Sequence, residues 1–487
     1  MEEFKKLPKK KIVQYFSSDI AKGLFNGMLG NYLLYFFQPT IKSGLPSLLT
    51  DNKLFGFFTV MAIITGISKV VDAVTDPWVA NMSDRCKSPN GRRMPFLRFA
   101  AIPYALCTVL IFYAPFSPGS VGNTIWVGFF VIAYYVFYTL FSIPHRALIP
   151  EIIPDPKERV GVYTISTVFF MGSSAIMYAA PMVVGLFKKA GMSPLWAYRT
   201  VFTIFGVVGL ACLLLTAYAF NETDYLKKTH RPHESLIASF KLVFKNKNFV
   251  IFTLGDLFNY VAMAFFQTAM MYYITVLIGI PEAQSIFVMG SAIVAAICFF
   301  PIIMKVCRKY NKKTPLLVAT FMFTALFAII YFGDVLPLNP YVKGIGMGLL
   351  VAYPFAAINI IPQAVVSDII QADSLKTSVN REGIYSATKT FIEKIAYAVA
   401  MVIVSSVLAI GAVEGEDVGL MGVKLTGIFA GGFSLLSAIF FTFYKDKEVS
   451  DYIRDKKAEL DSIETEEGLS NETVLELADE VSNDIQA

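Results

Sequence analysis

The amino-acid sequence predicts an all-α membrane protein with about twelve transmembrane helices, arranged as two six-helix bundles. Of its 487 residues, 55% are hydrophobic and only 16% are charged, and the mean hydropathy is +0.57. Soluble globular proteins carry about 25% charged residues. The composition therefore argues against a soluble enzyme or a nucleic-acid-binding protein, and it favours a chain that crosses a bilayer many times.

Twelve apolar segments approach or exceed the roughly 20 residues that a helix needs to cross the hydrocarbon core. The N-terminal segment lacks the short apolar core and small-residue cleavage site of a secretory signal peptide. The predicted spans are residues 18–38, 54–80, 96–116, 122–148, 161–187, 197–220, 249–278, 284–304, 315–335, 342–370, 383–411 and 423–444.

Basic residues are distributed unevenly between the predicted loops. The N-terminus and the even-numbered loops hold about 25 Lys and Arg residues, and the odd-numbered loops about 7. Because cytoplasmic loops carry the excess of positive charge, both termini are predicted to be cytoplasmic in the inner or plasma membrane. The five cysteines have no metal-ligand or disulfide spacing.

The chain repeats itself with an offset of about 218 residues. Residues 142–153 (SIPHRALIPEII) resemble residues 360–370 (IIPQAVVSDII), and both segments close a predicted span. Parallel repeats of six spans are typical of the major facilitator architecture, whose site lies between the halves. The predicted domains are an N-terminal bundle (1–220), a central cytoplasmic loop (221–248), a C-terminal bundle (249–444) and a cytoplasmic acidic tail (445–487).

The second predicted span contains three charged residues. Lys69, Asp72 and Asp76 are spaced i, i+3 and i+7, so they share one face of a helix. A charge inside the membrane is costly and normally faces a water-filled cavity or a partner. This stripe is suited to holding a cation; the alternative is a self-neutralised triad that only fixes helices together.

Three stretches of the sequence carry a resemblance to a known family. They are residues 72–77 (DAVTDP, followed by Asp84-Arg85 and Gly91-Arg92-Arg93), 138–144 (YTLFSIP) and 381–386 (REGIYS). On these stretches, which lie in both predicted halves, the chain resembles the glycoside–pentoside–hexuronide:cation symporters, the family of the melibiose permease. Members couple the uptake of a solute to sodium, lithium or protons.

The resemblance implies roles for residues of spans 2 and 11. Asp72 and Asp76 match the family's cation-site carboxylates, where sodium or a proton would bind, and Lys394 matches a lysine beside that site. Lys389 and Thr390 match polar positions that reach the sugar. Two carboxylates of the family's neutral-sugar site fall at Gly23 and Ser142 in this sequence.

Basic residues in the predicted spans suggest a different solute. Arg146 stands where the family has a tryptophan, and its guanidinium offers a bidentate fork for a carboxylate, phosphate or sulfonate. Pairing with Asp256 or another internal acid is the alternative for Arg146, and pairing with Glu393 is the alternative for Lys389. Asp19 is interpreted as an ordinary residue of a helix N-terminus. The predicted substrate-binding residues are Lys22, Arg146, Lys389, Thr390, Asp256 and Ser142.

Charged residues also cluster at the predicted cytoplasmic ends of the spans. Ion pairs there would hold the inner face shut and separate when it opens. The members predicted for this cytoplasmic gate are Asp84, Arg85, Arg92, Arg159, Asp368 and Arg381.

Together these features predict a secondary symporter that couples a sugar, glycoside or sugar acid to protons or sodium. The charge balance favours an anionic solute, and the lost carboxylate at Ser142 favours protons over sodium. A transporter of another organic anion or of a lysolipid-like amphiphile is the alternative. A membrane enzyme is disfavoured because no HExxH, GxSxG or metal-spaced cluster occurs. We expect a monomer in the lipid bilayer that needs no cofactor beyond the coupling ion and binds no nucleic acid.

Overall fold

The computed structural model describes residues 7–50, 58–153, 156–225, 243–309, 311–377, 382–412 and 416–467, and its elements there are helices. The first half contains α1 (Lys9–Phe16), α2 (Ser18–Gly27), α3 (Leu33–Phe37), α4 (Val60–Asp84), α5 (Met94–Ile111), α6 (Val121–Ile152), α7 (Pro156–Met177), α8 (Ala180–Lys189) and α9 (Pro194–Ala217). The second half contains α10 (Lys247–Tyr272), α11 (Ser285–Lys309), α12 (Lys313–Tyr331), α13 (Pro340–Thr377), α14 (Glu382–Leu408), α15 (Leu420–Phe443) and α16 (Asp446–Glu467).

Ten helical segments of the described residues are long and apolar enough to cross a membrane. The other two predicted spans correspond to α4 and to the run formed by α2 and α3. Lys69, Asp72 and Asp76 reduce the hydropathy of α4. Its 25 residues still exceed the length needed to cross about 30 Å of hydrocarbon.

Two predicted spans are irregular. A π-helical turn at Met28–Tyr32 joins α2 to α3 within the span predicted at 18–38. The span at 161–187 is broken between α7 and α8, where Pro181 lacks the N–H that would continue the helix ladder. A second π-helical turn, Tyr273–Ile278, follows α10, the first helix of the second half.

The helices pair in the same way within the two halves. In the first half α2 packs on α7 and α9, α5 packs on α6 and α9, and α4 packs on α6. In the second half α10 packs on α14 and α15, α12 packs on α13 and α15, and α11 packs on α13. This correspondence is what a duplicated six-helix unit produces. Most of the predicted central loop lies outside the described residues, so the domain boundaries stay a prediction.

Side chains join the two halves at one end of the bundle. This end, here called the odd-loop end, carries the connections that follow α3, α5, α8, α10, α12 and α14. The Tyr272 hydroxyl donates to the Gln38 carbonyl at 2.9 Å, and the Ser405 hydroxyl donates to the Gln38 side chain at 3.0 Å. Lys188 and Glu282 form an ion pair of 2.9 Å between α8 and the turn before α11. These contacts close the odd-loop end.

Candidate functional site

The centre of the molecule contains a four-charge cluster between α4 and α14. Lys394 reaches across from α14, and its ammonium nitrogen lies 2.9 Å from Asp72 Oδ1 and 2.6 Å from Asp76 Oδ2. Lys69, one turn before Asp72 on α4, lies 3.7 Å from Asp72 Oδ2. The two carboxylates and two ammonium groups sum to zero charge, so the predicted cation site is neutralised by lysines in this conformation.

Thr139 of α6 is the residue of this cluster that sequence reasoning did not single out. Its hydroxyl lies 3.2 Å from Asp72 Oδ1 and 3.1 Å from Asp76 Oδ1. Together, Thr139, Lys69 and Lys394 place a hydroxyl or an ammonium group next to each of the four oxygens of Asp72 and Asp76. Thr139 belongs to the 138–144 stretch that carries the family resemblance, which was the available signal.

Aromatic rings hold Lys69 in place. Its ammonium nitrogen lies 4.1 Å from the centre of the Tyr135 ring on α6 and 4.5 Å from that of Tyr397 on α14. Both distances are within the range of a cation–π interaction. The charged cluster and this cage therefore connect α4, α6 and α14 across the two halves.

A second charged cluster lies in the C-terminal half. Lys389 on α14 pairs with Asp256 on α10 at 3.2 Å and also with Glu393, one turn further along α14. The sequence offered Glu393 as the partner of Lys389 and Arg146 as the partner of Asp256. In the structure both acids lie beside Lys389. Pairing of Asp256 with Arg146, the alternative considered for that arginine, is not what the structure shows.

A cavity of about 580 Å³ adjoins the second cluster, between the ends of α13 and α14 that face away from the odd-loop end. Lys389, Thr390 and Glu393 line it together with hydroxyl and amide side chains of both helices. Such groups can exchange hydrogen bonds with the hydroxyls of a sugar. The polar members of the α13 and α14 wall are Gln363, Ser367, Gln371, Ser374 and Ser386.

Lys22 is buried and satisfied within the N-terminal half. Its ammonium donates to Asp19 Oδ1 at 2.9 Å and to His145 Nδ1 at 3.1 Å, and Ser166 donates to Asp19 Oδ2 at 2.6 Å. Because Nδ1 accepts, the His145 proton belongs on Nε2, near the Tyr15 carbonyl. Asp19 lies in the first turn of α2, as predicted, and it is also the ion-pair partner of Lys22. The i, i+3 spacing of the two residues was the missed signal for this pair. Lys22 is 4% exposed, a poor position for contacting a solute.

Arg146 differs from the buried lysines because it is exposed, in the last third of α6. The carboxylates of Asp19, Asp76 and Glu393 are near enough to act on it electrostatically. Each of these three carboxylates is already paired with a lysine. The guanidinium is therefore the cation of this region best placed to meet an anionic ligand.

The two positions that the resemblance aligns with the family's neutral-sugar carboxylates carry no carboxylate here, and both are buried. Ser142 is buried, and its hydroxyl has no hydrogen-bond partner among the described residues. At Gly23, even a Cβ would overlap the Ser173 hydroxyl and the Phe170 carbonyl oxygen of α7. The tight contact between α2 and α7 leaves no room for a side chain.

Gly23→Ala is therefore expected to destabilise the protein by about 1–3 kcal/mol, the usual cost of overpacking. Thermal unfolding of the purified protein measures the effect. Gly172→Ala is the matched control, because a Cβ at this glycine of α7 meets nothing within 4 Å. Equal melting temperatures for the two variants would contradict the close packing of α2 against α7.

A family model described as MFS/sugar transport protein matches residues 14–443. The chain belongs to this family. Membership agrees with the fold, with the paired contact pattern of the two halves and with the resemblance seen in the sequence. Proteins of the MFS/sugar transport family are transporters, not enzymes.

Several curated relatives of this MFS chain are named as transporters. The inner membrane symporter YicJ of Escherichia coli is 24% identical over 56% of this chain, a match that spans about half (55%) of YicJ itself. The lactose permease of Lactobacillus helveticus is 23% identical over 96% of this chain and 75% of its own length. The isoprimeverose transporter of Lactiplantibacillus pentosus is 23% identical over 88% of this chain and 87% of its own length.

Solved structures share the fold at low sequence identity. The D-xylose-proton symporter superposes with a TM-score of 0.59 and 12% identity, covering 90% of this chain and 96% of the symporter. The nucleoside transporter NupG superposes with a TM-score of 0.58 and 12% identity, covering 89% and 97%. At these identities the comparison supports the major facilitator fold alone.

The residues predicted for the cytoplasmic gate of this MFS protein are only partly described. Arg93 lies 3.2 Å from Asp84, and Lys312 pairs with Asp368, each pair within one half. Arg85 is exposed and Arg92 is half-buried. Nothing is described of the Arg159 side chain, and Arg381 lies outside the described residues, so the gate stays a prediction.

Proposed function

We propose that this MFS protein is a secondary symporter that couples the movement of a sugar-type solute to a cation by alternating access. The observation that supports this most is the four-charge cluster of Lys69, Asp72, Asp76 and Lys394, which bridges the two halves. Ionisable residues inside a membrane span are costly and mark ion pathways. Relatives named as a symporter, a lactose permease and an isoprimeverose transporter agree with this function.

The coupling ion that fits the cluster best is a proton. Sodium needs a shell of several oxygen ligands, whereas a carboxylate can accept a proton on one oxygen. The four oxygens of Asp72 and Asp76 already face Lys394, Lys69 or Thr139. Protonation of either aspartate would weaken its attraction for Lys394 and so loosen the link between α4 and α14.

The solute that fits the cavity is a sugar acid or a related hydroxylated anion. Hydroxyl and amide side chains of α13 and α14 line the cavity and suit the sugar hydroxyls. Arg146 of α6 is exposed but is not among the residues described as lining this cavity, and its guanidinium suits a carboxylate. Lys389 and Thr390 line the cavity, while Asp256 supports Lys389 from α10. Buried Lys22 and Ser142 are assigned a supporting role in the N-terminal half.

The conformation itself fits one state of a transport cycle. Contacts between the halves close the odd-loop end, and the cavity lies toward the opposite end. With both termini in the cytoplasm of a cell whose inner membrane holds the protein, this state would be inward-facing. Alternating access would then require the Lys188–Glu282 ion pair to separate.

A thermal-shift screen of the purified protein tests the proposed function. Ligand at 100 times its Kd stabilises a single site by about 2.7 kcal/mol through mass action. We expect uronates to raise the melting temperature more than neutral glycosides, with no added effect of sodium. Stabilisation only by lysophospholipids would instead support an amphiphile transporter, and a sodium-dependent shift would overturn the proton assignment.

A further inference from the structure

The cluster of Asp256, Lys389 and Glu393 contains one ammonium group for two carboxylates. Their side chains are 2%, 5% and 19% exposed, respectively. Asp256 Oδ2 faces Lys389 at 3.2 Å, and the Asn259 side chain is the other polar neighbour of this buried carboxyl. With both acids ionised, the cluster carries one excess negative charge, and such a buried charge is expensive unless it is compensated.

The charged and titratable groups around Glu393 come from three helices. On α14 it meets Lys389, on α10 it neighbours Asp256 and Tyr260, and on α6 Arg146 acts on it electrostatically. The Lys389 ammonium also lies 5.5 Å from the centre of the Tyr260 ring. Lys394, the next residue on α14, is bound by Asp72 and Asp76 instead.

The excess negative charge of the cluster faces the cavity through Glu393. An anionic group bound in the cavity would add a second negative charge beside it, which is unfavourable unless the cluster takes up a positive charge. One additional proton would restore neutrality. Glu393 is the carboxylate of the cluster that lines the cavity, so it is the one that water can reach.

We propose that Glu393 is a second proton-binding site, and that its protonation is linked to the binding of an anionic solute in the adjoining cavity. This inference rests on the proposed function for the nature of the solute. It is separate from the cation site at Asp72 and Asp76.

The linkage works through Lys389. A proton passes from hydronium in the cavity to a Glu393 carboxylate oxygen, leaving water behind. Once neutral, Glu393 no longer forms an ion pair with Lys389. Lys389 stays paired with Asp256 and turns an N–H toward the solute anion. When the solute leaves, Glu393 returns its proton to water and forms the ion pair with Lys389 again. The solute and the proton are therefore transported together.

Infrared difference spectroscopy of the purified full-length protein, titrated with acid, tests the proton site without any solute. Besides any absorption from protonated Asp72 and Asp76, the wild type is expected to show a protonated-carboxyl band that is lost in Glu393→Gln. Asp256→Asn should also lose the band, because one carboxylate then balances Lys389 and Glu393 stays ionised. Lys389→Gln should keep the band up to higher pH, because two uncompensated carboxylates remain.

Glu282→Gln is the matched control, since Glu282 is a largely buried acid that, among the residues the structure describes, pairs with one lysine, Lys188. It is expected to leave the band unchanged. A band that survives in both Glu393→Gln and Asp256→Asn would overturn the proposal, and so would a wild type without any such band.

Binding of glucuronate, measured by calorimetry at several pH values, tests the linkage. The Kd of the wild type should rise by up to about tenfold per pH unit above the Glu393 transition, as expected for one linked proton. In Glu393→Gln it should change less than about twofold, while Glu393→Asp should retain the dependence. The same pH dependence in Glu393→Gln would refute the linkage. Absence of glucuronate binding to the wild type would count against the proposed solute instead, with the infrared result unaffected.

Discussion

Replacement of Asp72 or Asp76 by Asn is expected to abolish uphill accumulation of solute, so that the ratio of inside to outside concentration falls to about one. The amide cannot take up a proton, and it attracts Lys394 far less than a carboxylate does. Downhill exchange of solute should survive in Asp76→Asn, whose side chain is 22% exposed. Uptake and counterflow in proteoliposomes under a pH gradient measure both effects.

Stability must be separated from coupling in these variants. Asp72 is nearly fully buried, and its loss leaves Lys69 and Lys394 with less compensation, at a cost of about 3–5 kcal/mol. Asp334→Asn is the matched control, because Asp334 also pairs with a lysine, Lys424 at 2.6 Å, but at the odd-loop end. Normal accumulation by both the Asp72 and the Asp76 variants would remove these residues from the coupling site.

Arg146→Gln is expected to weaken the binding of an anionic solute by about 2 kcal/mol or more, which corresponds to at least about 30-fold in Kd. Arg146 is exposed, and the acids that act on it already have lysine partners. Competition binding with uronates and with the corresponding neutral sugars measures the loss. Neutral sugars should be affected much less.

Arg146→Lys separates charge from geometry at this position. The ammonium keeps the charge but loses the planar fork that binds a carboxylate with two hydrogen bonds. An intermediate affinity is therefore expected. Unchanged uronate transport in Arg146→Gln, or a strong wild-type preference for neutral glycosides, would disprove the role of Arg146 as the anion-binding residue.

Sequence reasoning succeeded where a short-range pattern carried the information. The i, i+4 spacing of Asp72 and Asp76 placed both carboxylates on one helix face, and the structure confirms that both contact Lys394. The repeat near Ser142 and Ile360 indicated duplicated halves, and the helix pairs agree. Lys389 and Glu393 were foreseen as a possible i, i+4 pair, and they do pair.

Partners that lie far apart in the chain could not be assigned in the same way. Lys22 looked like a free cation, but α6 brings His145 to it and α2 itself supplies Asp19. From the sequence, Asp256 could have paired with Arg146 or with Lys389. The packing of α10 on α14 places Asp256 beside Lys389. The tyrosine cage around Lys69 joins residues of α6 and α14 that no local spacing relates.

The sequence by itself determined the membrane class, the helical spans and the face on which each charged residue lies, because hydropathy and the helical period act over neighbouring residues. Only the tertiary structure decided which charges neutralise each other. The energy of a buried charge depends on the groups within a few ångströms of it, and those groups come from other helices. That is why Lys22 is compensated, Arg146 is open to a ligand, and Asp256 with Glu393 retains an excess charge.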